Sequence, residues 1–221
     1  MNYVVFGASS GLGKSISEQL PSKGDTVWML NRSRPDALDL DDGVNREWIS
    51  INLESPQFVD EVKNRLKDVA IDALIFCSGI WDSDSDPTKV ESSEIYRILN
   101  VNTSGFIASV VSLHDNLTKA KSAKVIAIGS IVGLDNATGT SLAYVASKFG
   151  MRGAVHSMRE WLRASKIGVT CISVGSMSEQ ETPEGRIPHS DVVELIRSTL
   201  RLSSSACVKE IALPGAADLR A

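Results

Sequence analysis

Continuous apolar runs alternate along this chain with longer stretches whose apolar residues recur every three or four positions. Ala73-Leu74-Ile75-Phe76 and Val125-Ile126-Ala127-Ile128 contain no polar residue. Such a run suits a strand buried on both faces, as in a parallel sheet covered by helices on each side. Runs of this kind predict strands at 2–6, 25–30, 47–51, 71–77, 123–129, 168–174 and 208–213. Helical periodicity between them predicts helices at 12–23, 56–68, 88–118, 142–165 and 190–201. Strands alternating with helices imply βαβ units. Right-handed crossovers then give one doubly wound, mostly parallel sheet in the order 3-2-1-4-5-6-7, with ligands at the carboxyl ends of its strands.

The first strand runs straight into Gly7-Ala8-Ser9-Ser10-Gly11-Leu12-Gly13, followed by a helical pattern through Ile16 and Leu20 that Pro21 and Gly24 close. A strand, a glycine-rich turn and a helix start make a phosphate site. Glycine lets the backbone approach closely, and free N–H groups and the helix dipole favour negative charge. The spacing is GxxxGxG, and no Gly-Lys-Ser/Thr closes a Walker loop. A glycine turn alone is weak evidence, because turns use glycine anyway. Its position, directly after a strand and before a helix, points to a nucleotide.

Tyr144-Val145-Ala146-Ser147-Lys148 sets a phenol and an ammonium four residues apart, on one face of the helix predicted there. Ser130 stands at the end of the strand before it. A free tyrosine has a pKa of about 10, and a nearby lysine is expected to lower it toward the working range of an acid/base catalyst. Singly, each has a plain reading: a surface lysine, a half-buried tyrosine, a turn-capping hydroxyl. Their coincidence with the glycine turn favours a catalytic set.

Together these motifs resemble the single-domain short-chain dehydrogenase/reductase family, along nearly the whole chain. Cys77-Ser78-Gly79 stands where that family usually has Asn-Asn-Ala-Gly. Asn100-Val101-Asn102 looks like the segment supplying its catalytic asparagine, and Val174-Gly175 sits at its usual Pro-Gly. The resemblance implies a Rossmann-type fold and a catalytic set of Asn102, Ser130, Tyr144 and Lys148, with Asn102 holding a water for proton relay. It implies coenzyme contacts at Gly7, Ser9, Ser10, Gly11, Leu12 and Gly13, at Asn31, Arg32, Asn52 and Leu53, at Ser78, Gly79, Tyr144 and Lys148, and at Gly175. The missing proline leaves the 175–189 segment less constrained. That segment, with Gly175, Pro183, Gly185 and Pro188, reads as a lid.

Coenzyme choice turns on the end of the second strand, where an acidic residue would receive ribose hydroxyls. Asn31 stands there, followed by Arg32, Ser33 and Arg34. A missing carboxylate and a present guanidinium favour the 2′-phosphate of NADP(H) over NAD(H). Arg32, next to the discriminating position, is the better candidate, and Arg34 reads as solvated.

Composition narrows the remaining classes. The 221 residues suit one domain over 1–221, and 43% hydrophobic with 23% charged residues is ordinary for a globular protein. A net charge of −4 argues against nucleic acid and acidic membrane surfaces. No apolar run approaches the roughly 20 residues of a membrane span. The first strand leaves no room for a signal peptide, and Cys77, Cys171 and Cys207 read as reduced thiols, so a cytoplasmic protein is expected. His114, His156 and His189 are scattered, and no metal site is expected. Asp36–Asp42 and the Asp82, Asp84 and Asp86 loop read as solvated turns.

The expected activity is therefore hydride transfer between a nicotinamide and a small carbonyl or alcohol. Ile80, Trp81, Val132, Leu134, Asn136 and the lid would line the substrate pocket, and Arg186 could meet a carboxylate. The alternative is a non-catalytic NADPH sensor of the same fold. A sugar-nucleotide epimerase fits less well, because its branch uses a different glycine spacing and a longer C-terminal part. The resemblance also implies a homodimer or homotetramer, with the helix carrying Phe149, Val155 and Trp161 either at the interface or packed inward.

Overall fold

The computed structural model describes residues 1–135 and 141–218. Its main sheet comprises β1 (Asn2–Phe6), β2 (Thr26–Asn31), β3 (Asn45–Ser50), β4 (Ala73–Phe76), β5 (Lys124–Ser130), β6 (Gly168–Val174) and β9 (Glu210–Leu213). The order is β3-β2-β1-β4-β5-β6-β9, all parallel, as the crossover rule requires. The last strand is the ninth in the chain because β7 (Met177–Ser178) and β8 (Ile187–Pro188) pair with each other inside the expected lid. Helices are α1 (Gly11–Gln19), α2 (Phe58–Leu66), α3 (Ser92–Leu99), α4 (Gly105–Ser112), α5 (His114–Thr118), α6 (Leu142–Trp161) and α7 (His189–Arg201).

Side chains alternate across the strands, so each strand feeds two cores. From β1, Tyr3 and Val5 pack with Ile16 of α1 and Val192 and Ile196 of α7. Val4 and Phe6 face the other way, toward Val62 of α2, Phe106 of α4 and Val155 of α6. Phe6, Phe76 and Phe106 form a tilted aromatic chain with ring centroids 5.5 and 5.4 Å apart. Burying each such side chain contributes about 1.5–3 kcal/mol. Val155 thus belongs to the core, while Phe149 and Trp161 of the same helix are exposed.

The one long helix expected at 88–118 is broken. A short 3-10 turn (Pro87–Lys89) precedes α3, one π turn (Asn100–Ser104) joins α3 to α4, and Leu113, off helical geometry, separates α4 from α5. Periodicity could not show this, because a π turn adds a residue without changing the apolar character of the face. π turns occur frequently at functional sites, and this one carries Asn102.

Candidate active site

The glycine turn is shaped by two close approaches. Gly7 has φ +85°, and a Cβ there would lie 2.8 Å from the Ser78 nitrogen. A Cβ on Gly13 would lie 2.1 Å from the Gly7 carbonyl oxygen, so α1 sits against β1 only because residue 13 has no side chain. Gly13→Ala is therefore expected to displace the start of α1 and to cost at least 1–3 kcal/mol, the usual penalty of overpacking. Urea unfolding measures the loss, and coenzyme fluorescence should show binding weakened at least tenfold. Wild-type values in both would contradict this packing.

The turn opens into a cleft of about 600 Å³ at the carboxyl ends of β1, β2 and β4. Every residue assigned to the coenzyme from the turn lines it, as do Asn31, Arg32, Asn52, Leu53, Ser78 and Gly79. The volume lies within the range of small-molecule sites. Ile80 and the largely exposed Trp81 also line it. Asn136 lies outside the described residues. A smaller cleft of about 270 Å³, lined by Lys124, Arg159 and Arg163, opens at the opposite ends of β5 and β6 and holds none of the motif residues.

Beside Asn31, the two arginines separate in role. Arg34 forks onto Asp39 at 2.8 and 2.6 Å, inside the acidic segment. Arg32 makes only a loose 3.7 Å pair with Glu54, which also accepts from Arg97 at 3.0 Å. An exposed pair of this kind is weak, which leaves the Arg32 guanidinium open to a stronger anion. Buried Asn31 donates to the Ser33 carbonyl.

Ser130, Tyr144, Lys148 and Gly175 are not in the lining of this cleft; β5 ends on Ser130 and α6 carries Tyr144 and Lys148, with Lys148 Nζ against the cleft-lining Ile128 and Gly79. Ser130 is buried, and its Oγ accepts weakly from the Val132 N–H at 3.4 Å, so the plain turn-capping reading is partly true of it. Lys148 Nζ donates to the Ile128 carbonyl at 3.0 Å and lies 5.5 Å from the centre of the Tyr144 ring. Burial drops the Lys148 pKa to about 8, with the Cys171 and Cys77 thiols opposing. Burial also raises the Tyr144 phenol, against the pull of the Ser130 hydroxyl. This differs from the sequence expectation of a lowered tyrosine. The lysine ammonium is directed at a backbone carbonyl, and desolvation of the phenol outweighs the remaining effects.

Asn102 is fully buried and braces the loop after β4. It accepts from the Ile80 N–H at 2.9 Å, and its amide donates to the Ile80 carbonyl at 2.8 Å and to Ser147 Oγ at 2.9 Å. Both amide hydrogens are thus committed to protein groups.

The acidic loop after β4 is not wholly solvated. Asp86 caps a turn through Thr88, but Asp82 is buried and accepts from the Tyr144 N–H at 3.1 Å. The N-cap residue Ser141 makes no side-chain bond, so a carboxylate 62 positions from Tyr144 caps α6 instead. Nothing local in the sequence marks that contact.

Gly175 lies at the end of β6, and a Cβ there would meet the Asp218 carboxylate. That carboxylate accepts from Ser176 N–H, Ser176 hydroxyl and Gly215 N–H at 2.9, 2.8 and 2.9 Å. Burial alone would raise its pKa, yet these donors hold it below the ordinary carboxylate value. The segment expected to be loosely held is therefore tied down by the last turn of the described chain.

A parallel doubly wound sheet with a glycine cradle and a Ser/Tyr/Lys set at its carboxyl edge defines a dinucleotide-dependent oxidoreductase architecture. The model of the short chain dehydrogenase family matches residues 2–185, and the chain belongs to that family. It is 26% identical over 184 residues to 3-oxoacyl-(acyl-carrier-protein) reductase FabG of Vibrio harveyi, covering 81% of this chain and 74% of that one. It is 24% identical over 177 residues to carbonyl reductase family member 4 of Danio rerio, covering 78% and 73%. Among solved structures, a short chain dehydrogenase family protein from Francisella tularensis superposes with TM-score 0.82 at 22% identity, covering 98% of both chains. Alcohol dehydrogenase from Thermococcus sibiricus, complexed with 5-hydroxy-NADP, gives 0.82 at 19% identity, covering 96% and 95%. No helix among the described residues is long and apolar enough to cross a membrane.

Proposed function

We propose that the chain is an NADP(H)-dependent reductase or dehydrogenase acting on a carbonyl/alcohol pair of a small molecule. The observation that supports this reading is that Lys148 borders the cleft that the glycine turn opens: its Nζ bonds the carbonyl of the cleft-lining Ile128 and lies against Gly79, and Tyr144, which is hydrogen-bonded to Ser130, stands one helical turn before it. Residues 1–221 then form one coenzyme-binding unit with the substrate site built into it. The turn fits a dinucleotide, since Gly11, at φ +51° at the start of α1, has open space on the cleft side where a Cβ would project and leaves the helix N-terminus bare to a phosphate. The bound nicotinamide supplies or takes the hydride.

The protein's own part is proton transfer and orientation. Ser130 hydrogen-bonds the substrate oxygen. Tyr144, kept protonated by burial, gives its proton to that oxygen in reduction and takes one in oxidation. Lys148, anchored on the Ile128 carbonyl, presents a positive charge below the phenol that favours tyrosinate as the proton leaves. Asn102 joins the relay to solvent through the loop it braces, its Oδ1 keeping a second lone pair for a water.

Arg32 is assigned the 2′-phosphate of NADP(H), with NAD(H) the weaker coenzyme. Charge-assisted bonds of this kind contribute about 1.5–3 kcal/mol. Arg32→Ala is expected to weaken NADPH binding by roughly 10- to 100-fold and NADH binding by less than about twofold. Equal losses for both coenzymes, measured by fluorescence titration, would remove the assignment. Consumption of NADPH against a panel of ketones, aldehydes and β-keto acids tests the activity itself. Tight NADPH binding with no turnover across the panel would favour a sensor instead.

The same reading places the protein in the cytoplasm as a homodimer or homotetramer. Exposed Ile107 and Val111 of α4 and Phe149 and Trp161 of α6 supply the apolar surface for such pairing.

A further inference from the structure

His189 was among the scattered histidines of the sequence, and the fold places it in the dinucleotide cleft. It opens α7, which lies beside α1 and runs in the same direction. Ser15 meets His189 near one end, and Gln19 and Leu20 accept from Arg197 at 2.6 and 2.8 Å toward the other. Both helices therefore direct their N-termini, with free N–H groups and positive dipole ends, at the same part of the cleft. His189 is 6% exposed and lines that cleft together with Gly11, Leu12 and Met177.

The ring is held by one nitrogen only. Nδ1 lies 3.0 Å from Ser15 Oγ, while Nε2 has no partner among the described residues and is not among their sealed, unpaired buried atoms. A histidine more than nine-tenths buried, with its free nitrogen bordering a cleft at two helix N-termini, is placed to donate to an anion. We propose that His189 is a coenzyme-binding residue whose Nε2 donates to the pyrophosphate of the dinucleotide, and whose protonation makes coenzyme affinity depend on pH. This rests on the coenzyme reading above.

The Ser15 contact suits both protonation states. In the neutral ring Ser15 donates to Nδ1, which leaves the hydrogen on Nε2. In the charged ring both nitrogens donate, and the Ser15 hydroxyl turns to the Gly11 carbonyl 3.4 Å away. Without coenzyme, burial lowers the His189 pKa from its ordinary value, and Glu179, from the segment after β7, opposes that. The other charged groups on α1 and α7 are Lys14, paired with Asp36 at 3.3 Å, Glu18, Asp191 in the first turn of α7, and farther along it Glu194 and Arg197, paired at 3.0 Å, and Arg201. An anion at Nε2 favours the charged ring, so its pKa rises on binding. Proton uptake then accompanies coenzyme binding, and affinity increases as pH falls through the histidine range.

The experiment is titration of NADPH and NADH by fluorescence between pH 5.5 and 8.5, on wild type, His189→Gln and His189→Ala. Wild type is expected to bind both coenzymes about tenfold more tightly at the acid end, the equivalent of one pKa unit. NADH lacks the titrating 2′-phosphate, so a slope shared by both coenzymes belongs to the protein. Glutamine can donate but not titrate. Its variant should match wild type at pH 8.5 within about twofold and lose the slope, whereas the alanine variant should be weaker throughout; the tenfold scale of both losses follows from the same constant. An unchanged slope in the glutamine variant overturns the proposal, and so does wild-type affinity in the alanine variant. If the alanine variant fails to fold, the glutamine variant still decides. Wild type that binds neither coenzyme would overturn the coenzyme reading itself, an outcome distinct from a lost histidine contribution.

Discussion

Tyr144→Phe is expected to lower kcat by about 10²–10⁴-fold, the usual contribution of a positioned general acid, while coenzyme affinity stays within about twofold. The substitution removes one oxygen from a ring whose remaining atoms pack as before, so the lost rate reports the proton and not the fold. The environment sharpens the expectation. Burial raises the phenol and only the Ser130 hydroxyl pulls it back, so Tyr144 is protonated throughout the neutral range. Reduction, which needs the acid form, should run at constant rate through neutrality and fall only in alkali. Oxidation, which needs the base form, should gain rate as pH rises. Near-normal turnover in the Phe variant, with any carbonyl that wild type reduces, would remove Tyr144 from the chemistry.

Lys148→Met should separate stability from activity. The buried ammonium binds its proton less well folded than unfolded, its pKa falling from 10.5 to about 8. That displacement corresponds to about 3 kcal/mol of destabilisation at neutral pH. Leaving the Ile128 carbonyl unpaired costs about 1–3 kcal/mol in return. The Met variant is therefore expected to be as stable as wild type or about 1–2 kcal/mol more stable, with turnover reduced to near background. The sign of the pH dependence follows from the same shift. Between about 8 and 10.5 the unfolded chain holds more protons at this site than the folded one, so this contribution to wild-type stability rises with pH across that window. Denaturant unfolding at pH 7 and pH 10 should show the rise in wild type and its absence in Lys148→Met. A variant several kcal/mol less stable at both pH values would mean that the lysine holds the fold and not only the reaction.

What the sequence revealed and what it hid divide by distance along the chain. The fully apolar runs of β4 and β5 marked the centre of the sheet, because only a strand covered on both sides can avoid polar residues. The glycine turn and the Tyr144–Lys148 pair were legible because their geometry is local, set by a turn and by one helical step. Strand ends moved by at most two residues, as at β4, which spans 73–76 and not 71–77, and β1 and β6 did not move. The hidden features are contacts between distant positions. Asp82 caps the helix of Tyr144 across 62 residues, and His189 meets Ser15 across 174. The direction of the Tyr144 shift was hidden for a related reason: desolvation depends on everything packed around the ring, and the spacing YxxxK shows only the partner.

The Asp218 brace has a wider meaning. Where the family resemblance implies a proline before the glycine, this chain has Val174, and the turn after β6 is closed by a carboxylate from residue 218, beyond the 2–185 region that the family pattern covers. The constraint on this turn is electrostatic and comes from a distant part of the chain. A proline ring holds its backbone in any solvent, whereas this brace opens in acid, as pH falls through the lowered pKa of Asp218. Order in this turn is thereby coupled to the protonation of a residue 42 positions from Ser176.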